Sequence, residues 1–311
     1  LRESLGSDVI GVAIGDQLTA EEMFLAHYLA ENAIGTENIY APNAMAGSFG
    51  CSTARVEDTE TADVVLAVGN DLPALYPLVG SRLTKGAVAG HKLLLLADKA
   101  GKLAESAAEC FSLDGKVDLL IALAYADAPV ADDIKARAAS IIAALKQAEK
   151  PLLVFDASRL AAPALQALFK LAAVLNLPVL QLLANVNSRV TADLGITRDL
   201  HMLYDDIEAG KLKAVLLFGI DLPALVAENV DFIFEADANY GRAYPYAKVL
   251  LPLSGFGAVT GSYVNFEGRM QQVQAAIRPY NGQENWQLFA AFVAAVGRGQ
   301  PFAGLQTVRG A

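Results

Sequence analysis

Cysteine is almost absent: two in 311 residues, Cys51 and Cys110. They stand far apart without CxxC spacing, which excludes a zinc or iron–sulfur site assembled from this stretch. Both read as reduced, buried thiols. Histidine is nearly as scarce. His27, His91 and His201 are isolated, so no HExxH motif and no Ser-His-Asp arrangement is present. Each reads as a core-edge or surface residue, and no catalytic or metal-ligating group is named. Basic runs are missing as well. Twenty-four Lys and Arg against 34 Asp and Glu leave a net charge of −10, which supplies no cationic footprint for nucleic acid. The acidic pairs Glu21-Glu22, Asp132-Asp133 and Asp205-Asp206 read as solvated helix ends. Mean hydropathy is high at +0.36, yet the richest zone, Pro151 to Leu183, is broken by Asp156, Arg159, Lys170, Asn176 and Pro178. No apolar run reaches the roughly 20 residues a bilayer requires, which argues against direct membrane insertion. The chain starts at Leu1 and reads as a piece of a longer protein, so the lack of a targeting leader carries no information.

What is present is apolar and alternates regularly. Hydrophobic residues make up 54% and charged ones 19%, the balance of helices packed on buried parallel strands. The length suits one large α/β domain or two ordinary ones. DVIGVAIG reads as a first strand. Thr19 and Glu22 then form a capping box, and Gly35 stops the helix begun there. ADVVLAVGND carries a strand over 64–68, residues 72–89 a helical crossover, and HKLLLLAD the next strand. ECFSLDG is a weaker strand, with helices near 116–126 and 131–148. Pro151 restarts the pattern: strand LLVFD, helix 160–176, strand PVLQLL, an Asn-rich loop, helix 199–210, then strands KAVLLFGID, DFIFEAD and KVLLPLS. One echo stands out, since VVLAVGNDLPAL (64–75) and AVLLFGIDLPAL (214–225) share strand, glycine, aspartate and LPAL.

The chemistry candidates are few. Gly69-Asn70-Asp71 and Gly219-Ile220-Asp221 place glycine and polar groups where open α/β sheets bind ligands, and Asp98 stands where a ribose-binding acid would. Neither glycine belongs to a GxGxxG, so the nicotinamide-dinucleotide fingerprint is missing. Gly255, Gly257 and Gly261 spell a near-fingerprint after a strand. The next residues, Ser262-Tyr263-Val264-Asn265-Phe266, are extended, so no helix N-terminus backs a phosphate cradle. Glu267 and Arg269, two apart on that segment, are expected to make ion pairs or backbone hydrogen bonds that fix a sharp turn at the sheet edge.

Several motifs in order carry a family likeness. LTAEEMFLAHYLAENAIGTENI (18–39), ETADVVLAVGNDLPALYPLVGSRL (60–83) and AGHKLLLLAD (89–98) closely resemble molybdopterin oxidoreductases such as formate dehydrogenases. LLANVNSRVTADLG (182–195), LHMLYDDIEAGKLKAVLLFGIDLPA (200–224) and the run 231–271 continue the resemblance. Within the family, Asn265-Phe266-Glu267-Gly268-Arg269 looks most like the branch formed by the large 75-kDa iron–sulfur subunit of NADH-quinone oxidoreductase, respiratory complex I. Formate dehydrogenases tend to carry a second arginine where Gly268 stands. RPYNGQENWQLF (278–289) is similar to that branch too.

The resemblance implies an α/β fold of two Rossmann-like parallel-sheet domains, of the formate dehydrogenase and DMSO reductase domain II and III type. It implies a discontinuous domain of 1–38 plus 149–311, with 39–148 inserted as a smaller one. By resemblance, Gly69, Asn70, Asp98, Asn187, Gly219 and Asp237 are candidates for a remnant pterin crevice, and Asn265, Glu267, Gly268 and Arg269 form a structural signature. Family enzymes supply a metal ligand in the loop after GTENI, but here that loop is shortened and Cys51 falls beyond the ligand position. Lys99-Ala100 comes after Asp98, where the enzymes show Pro-Arg. The implication is a cofactor-free, non-catalytic module. Iron–sulfur clusters would lie elsewhere in the parent chain, other subunits of NADH-quinone oxidoreductase would be its partners, and its place would be the cytoplasmic face of the membrane. Two alternatives stand beside it: a fragment of a molybdenum or tungsten bis-pterin enzyme, and a free-standing small-molecule-binding α/β protein.

Overall fold

The computed structural model describes residues 6–44, 50–99, 101–296 and 302–311. Each apolar run named above becomes a strand, and ten of the twelve strands among the described residues build two parallel five-stranded sheets. The first sheet has the order β10-β9-β8-β1-β2, with β1 Ile10–Ile14, β2 Ile39–Tyr40, β8 Ala214–Phe218, β9 Phe232–Asp237 and β10 Val249–Pro252. The second has the order β5-β4-β3-β6-β7, from β3 Val64–Val68, β4 Lys92–Leu96, β5 Glu109–Phe111, β6 Pro151–Asp156 and β7 Val179–Leu182. Every neighbouring pair in both sheets is parallel. β1, β3 and β8 are buried along their whole length, which is why they read as continuous apolar runs without polar alternation.

The chain divides into two compact units. One comprises 1–48, 185–265 and 269–311, the other 49–184 and 266–268. The return therefore falls at 185 rather than 149. β6 pairs with β3 (Val64 with Pro151 through Val68 with Phe155), so the strand that seems to open a second series instead extends the inserted sheet.

In the first unit, helix α1 (Ala20–Tyr28) begins with the capping box expected from Thr19 and Glu22. Glu22 N donates to Thr19 Oγ1 at 3.3 Å and Thr19 N donates to Glu22 Oε2 at 2.8 Å. Its end winds as a π-helix over Leu29–Ile34 and stops at Gly35, which takes φ +75°. Phe218 and Phe234 of the sheet meet Phe289 and Phe292 of the helix Asn285–Val296 in tilted and edge-on contacts. In the second unit, the expected 72–89 crossover splits into Leu72–Leu75 and Pro77–Val88. Pro77 removes a backbone donor and forces Tyr76 to φ −130°.

Two burial expectations are corrected. Cys51 and Cys110 are exposed free thiols; Cys110 lies on the edge strand β5, facing away from the core. Glu21, Glu22 and Asp206 are buried rather than solvated; distant partners reach Glu21 and Asp206, while Glu22 is held by Thr19 in its own capping box. Asp206 takes hydrogen bonds from Tyr40 Oη at 2.7 Å, Lys211 Nζ at 2.7 Å and Arg198 Nη2. Among the described residues no helix is long and apolar enough to cross a membrane.

Candidate functional site

In the first unit the carboxyl ends of β1, β8, β9 and β10 surround a crevice of about 580 Å³. This is where an open parallel sheet presents ligand-binding loops, because the chain order reverses between β1 and β8. Gly15 ends β1 and Gly219 ends β8, and they meet backbone to backbone. A Cβ on Gly15 would stand 2.0 Å from the Gly219 carbonyl oxygen, so no side chain fits there. Gly219 itself takes φ +62°.

Carboxylates dominate the lining. Asp16 is buried and accepts from Ser188 Oγ at 2.5 Å, Asn185 Nδ2 at 2.8 Å and Asn43 Nδ2 at 3.1 Å. Burial raises its pKa, against the pull of those donors. Asp221 accepts from Arg242 Nε and from Ala243 N, each at 2.9 Å. Burial pushes its carboxyl up, but these donors outweigh it and hold the pKa below the ordinary value. Asp237 accepts from Asn239 N at 2.9 Å, and burial, with Asp221 nearby, raises its pKa. Glu22 is 2% exposed, and burial lifts its pKa from 4.5 to about 7. Tyr263, on strand β11 (Gly261–Val264), is pushed up to about 12 by burial and by the charge of Glu22.

A polar knot holds the crevice floor. Glu21 accepts from Ser262 N at 2.7 Å, Ser262 Oγ at 2.9 Å and Arg309 Nε at 2.7 Å. Asn187, fully buried, donates to Leu18 O at 2.7 Å and accepts from Val264 N at 2.7 Å. Its amide is thus spent on bracing β11 against α1.

The sequence-derived candidates separate. Gly219 and Asp237 line the crevice and Asn187 braces it from behind. Gly69, Asn70 and Asp98 lie in the second unit, where Asn70 Oδ1 accepts from Asp98 N and Lys99 N, both at 2.9 Å. Asp98 in turn takes Leu113 N at 2.8 Å and Gly115 N at 3.1 Å. These side chains close their own loops. The candidate metal-ligand loop is described only in part, since residues 45–49 lie outside the described residues, as does Ala100 after Lys99.

The signature stretch forms an antiparallel hairpin of β11 with β12 (Met270–Val273), a two-stranded sheet of its own rather than an edge of either parallel sheet. Asn265 N donates to Arg269 O at 3.1 Å and Arg269 N to Asn265 Oδ1 at 2.9 Å. Gly268 supplies the left-handed residue at φ +77°, the conformation a three-residue hairpin loop needs. Glu267 Oε1 accepts from Val56 N at 2.7 Å, a backbone hydrogen bond to a distant segment rather than one within the turn.

Residues 2–295 match the family model described as molybdopterin oxidoreductase. The chain belongs to the molybdopterin oxidoreductase family. A formate dehydrogenase-like protein of Staphylococcus haemolyticus is 26% identical over 110 residues, a stretch covering 32% of this chain and 11% of that protein. This chain thus corresponds to a small part of its curated relative. A chain of the formyltransferase/hydrolase complex from Methylorubrum extorquens, solved with methylofuran, shares the fold at TM-score 0.66 and 18% identity over 94% of each chain. Acetylene hydratase from Pelobacter acetylenicus does so at TM-score 0.63 and 13% identity, over 95% of this chain and 56% of that one.

The molybdopterin group that gives the family its name carries phosphate, so its site needs donors and positive charge. The crevice has amide donors in Gln17 and Asn239 but no uncommitted cation among its described lining residues. Asp16, Glu22, Asp221 and Asp237 face it, and the guanidinium of Arg242 is committed to Asp221. Gly15, which could have opened a backbone cradle, is filled by the Gly219 carbonyl. These residues do not fit an anionic pterin cofactor. Asp221 follows from its place in Gly219-Ile220-Asp221 at a strand end, while Asp16, Glu22, Arg242 and Asn285 carry no site signal in the sequence, Glu22 reading only as a capping acid.

Proposed function

We propose that this chain is a cofactor-free molybdopterin-oxidoreductase module with a structural role in the large 75-kDa iron–sulfur subunit of NADH-quinone oxidoreductase. The observation that carries the reading is the crevice itself: four carboxylates, one paired guanidinium, and Gly15 closed off by the Gly219 carbonyl. The Asn265–Arg269 hairpin with Gly268 at its left-handed position supports the choice of branch. On this reading the module packs beside the cluster-bearing part of its parent and neighbouring subunits at the cytoplasmic face of the membrane, and electrons pass through clusters elsewhere in that parent. Purified full-length parent should then contain iron but neither molybdenum nor tungsten, and should yield no fluorescent pterin after oxidation. Affinity capture from its host should bring down NADH dehydrogenase subunits. Stoichiometric molybdenum or tungsten with pterin would sink this reading in favour of a bis-pterin enzyme.

A second reading has one specific observation behind it. The chain from the formyltransferase/hydrolase complex aligns over 94% of both lengths, so a chain of this extent serves there within a multi-component assembly. Capture of formyltransferase or hydrolase subunits in place of NADH dehydrogenase subunits would establish it.

A further inference from the structure

Glu21, Phe24 and Tyr28 stand three and four residues apart, in line along one face of α1. The segment 302–311 lies over them as a strap. Phe302, buried, sets its ring edge-on to Phe24 and Tyr28, with centroids 5.9 and 5.1 Å away. The short helix Leu305–Arg309 then buries Val308 and brings Arg309 Nε to Glu21 Oε1 at 2.7 Å. The same carboxylate takes Ser262 N and Ser262 Oγ from β11. β11 meets α1 closely here, since a Cβ on Gly261 would stand 2.6 Å from Thr19 Cβ. One buried carboxylate therefore joins the strap to the hairpin. Their chain neighbours face the crevice: Glu22, beside Glu21, and Tyr263, beside Ser262, both line it.

A two-stranded hairpin is marginal by itself and depends on its anchors. β11 and β12 pair only with each other among the described residues, and β11 is held from α1 by Glu21 and from behind by Asn187. The charge on Glu21 is offset by Arg309 through a charge-assisted hydrogen bond. Without that guanidinium, the carboxylate would be left buried and short of a partner. We propose that the strap 302–311 is a latch for the crevice wall: Arg309 is a positioning residue that holds β11 through Glu21, and release of the strap from α1 loosens the hairpin. The coupling does not depend on the cofactor-free reading, because neither Arg309 nor Phe302 is among the residues that line the crevice.

The test is native-state hydrogen exchange on the full chain, followed by NMR at Ser262 and Val264, with the amides of β1 and β8 as reference. Arg309→Met should speed exchange at Ser262 and Val264 about tenfold or more and leave β1 and β8 within about twofold. Phe302→Ala removes the anchor at Phe24 and Tyr28 rather than the one at Glu21. It should still speed the same two amides about threefold or more, which an isolated Glu21–Arg309 ion pair would not do. Arg309→Lys keeps the charge and should fall between wild type and Arg309→Met. Unchanged exchange in β11, a response to Arg309→Met without one to Phe302→Ala, or an equal rise in β1 and β8 would overturn the latch. Should Arg309→Met fail to fold, Arg309→Lys and Phe302→Ala decide by the same amides.

Discussion

β3 and β8 are each the middle strand of a five-stranded parallel sheet, and each leads into a glycine, an aspartate and LPAL. From β3 the sheet grows through β4 and β5 on one side and β6 and β7 on the other. From β8 it grows through β9 and β10 on one side and β1 and β2 on the other. The two sheets share one winding, cut at different points of the chain. Beyond the shared strand they part. In the second unit a Cβ on Gly69 would meet Asp156 Cβ at 3.1 Å. That buried aspartate is fully engaged: its Oδ1 takes Tyr76 Oη at 2.8 Å and Ser158 N at 3.2 Å, and its Oδ2 takes Arg159 Nη1 at 3.0 Å. In the first unit the ground beyond Gly219 stays open, and one carboxylate oxygen lacks a donor. The same strand-and-turn design therefore ends either in a sealed polar cluster or in a crevice with unsatisfied acidity. The residues that decide between them come from elsewhere in the chain.

Four measurements probe that contrast. The largest effect is expected from Gly15→Ala, whose Cβ would strike backbone rather than a yielding side chain. It should cost about 4 kcal/mol or prevent folding, read by chemical denaturation. A variant that melts like wild type would remove the rigid β1–β8 junction from the comparison. Next comes the pH dependence of Glu22. Its folded pKa of about 7 lies above the ordinary 4.5, so between those values the folded state holds the proton more tightly than the unfolded chain. Stability should fall as pH rises from 4.5 to 7, by at most about 3 kcal/mol, and level off above. Glu22→Gln should flatten that slope; an identical slope in both proteins would show that Glu22 is not its source. For the sealed cluster, Tyr76→Phe removes one hydrogen bond to a buried carboxylate and should cost about 1.5 kcal/mol. Hydrogen exchange should rise in β3 and β6 and stay unchanged in β1 and β8; a uniform rise would make the clusters one cooperative network. Smallest is Gly268→Ala. No atom lies within 4 Å of the added Cβ, so only the left-handed conformation is penalised, by about 1 kcal/mol, visible as a small drop in Tm.

Much of this architecture was legible because its signals are local. β1, β3, β4 and β8 announce themselves as short apolar runs, and Thr19 with Glu22 marks the start of α1 within one helical turn. Gly35 and Gly268 stand where the backbone must turn left-handed. The features that escaped depend on partners far along the chain. Glu21 reads as a solvated acid until Ser262, 241 residues away, and Arg309, 288 residues away, are brought to it. Asp206 was missed for the same reason, through Tyr40, 166 residues distant. The return point at 185 escaped because Pro151 looks like a beginning, and only the pairing of β6 with β3 shows it to be a continuation. The crevice was half legible. Gly219 and Asp221 are expected from their place at a strand end and Asp237 from the family resemblance, but the burial of Glu22 cannot be read from a capping motif.

The register of β1 with β8, Ile10 against Ala214, has a consequence for synthesis on the ribosome. β1 meets the two-residue β2 early, but it cannot find β8, its five-residue partner, until more than two hundred further residues have been made. The strands of the inserted sheet meanwhile emerge as one uninterrupted run and can pair as they appear. The nascent chain thus carries an apolar strand whose edge towards β8 stays open while the inserted sheet matures. In that interval the open edge of β1 is exposed to misassociation, and the arrival of β8 closes it.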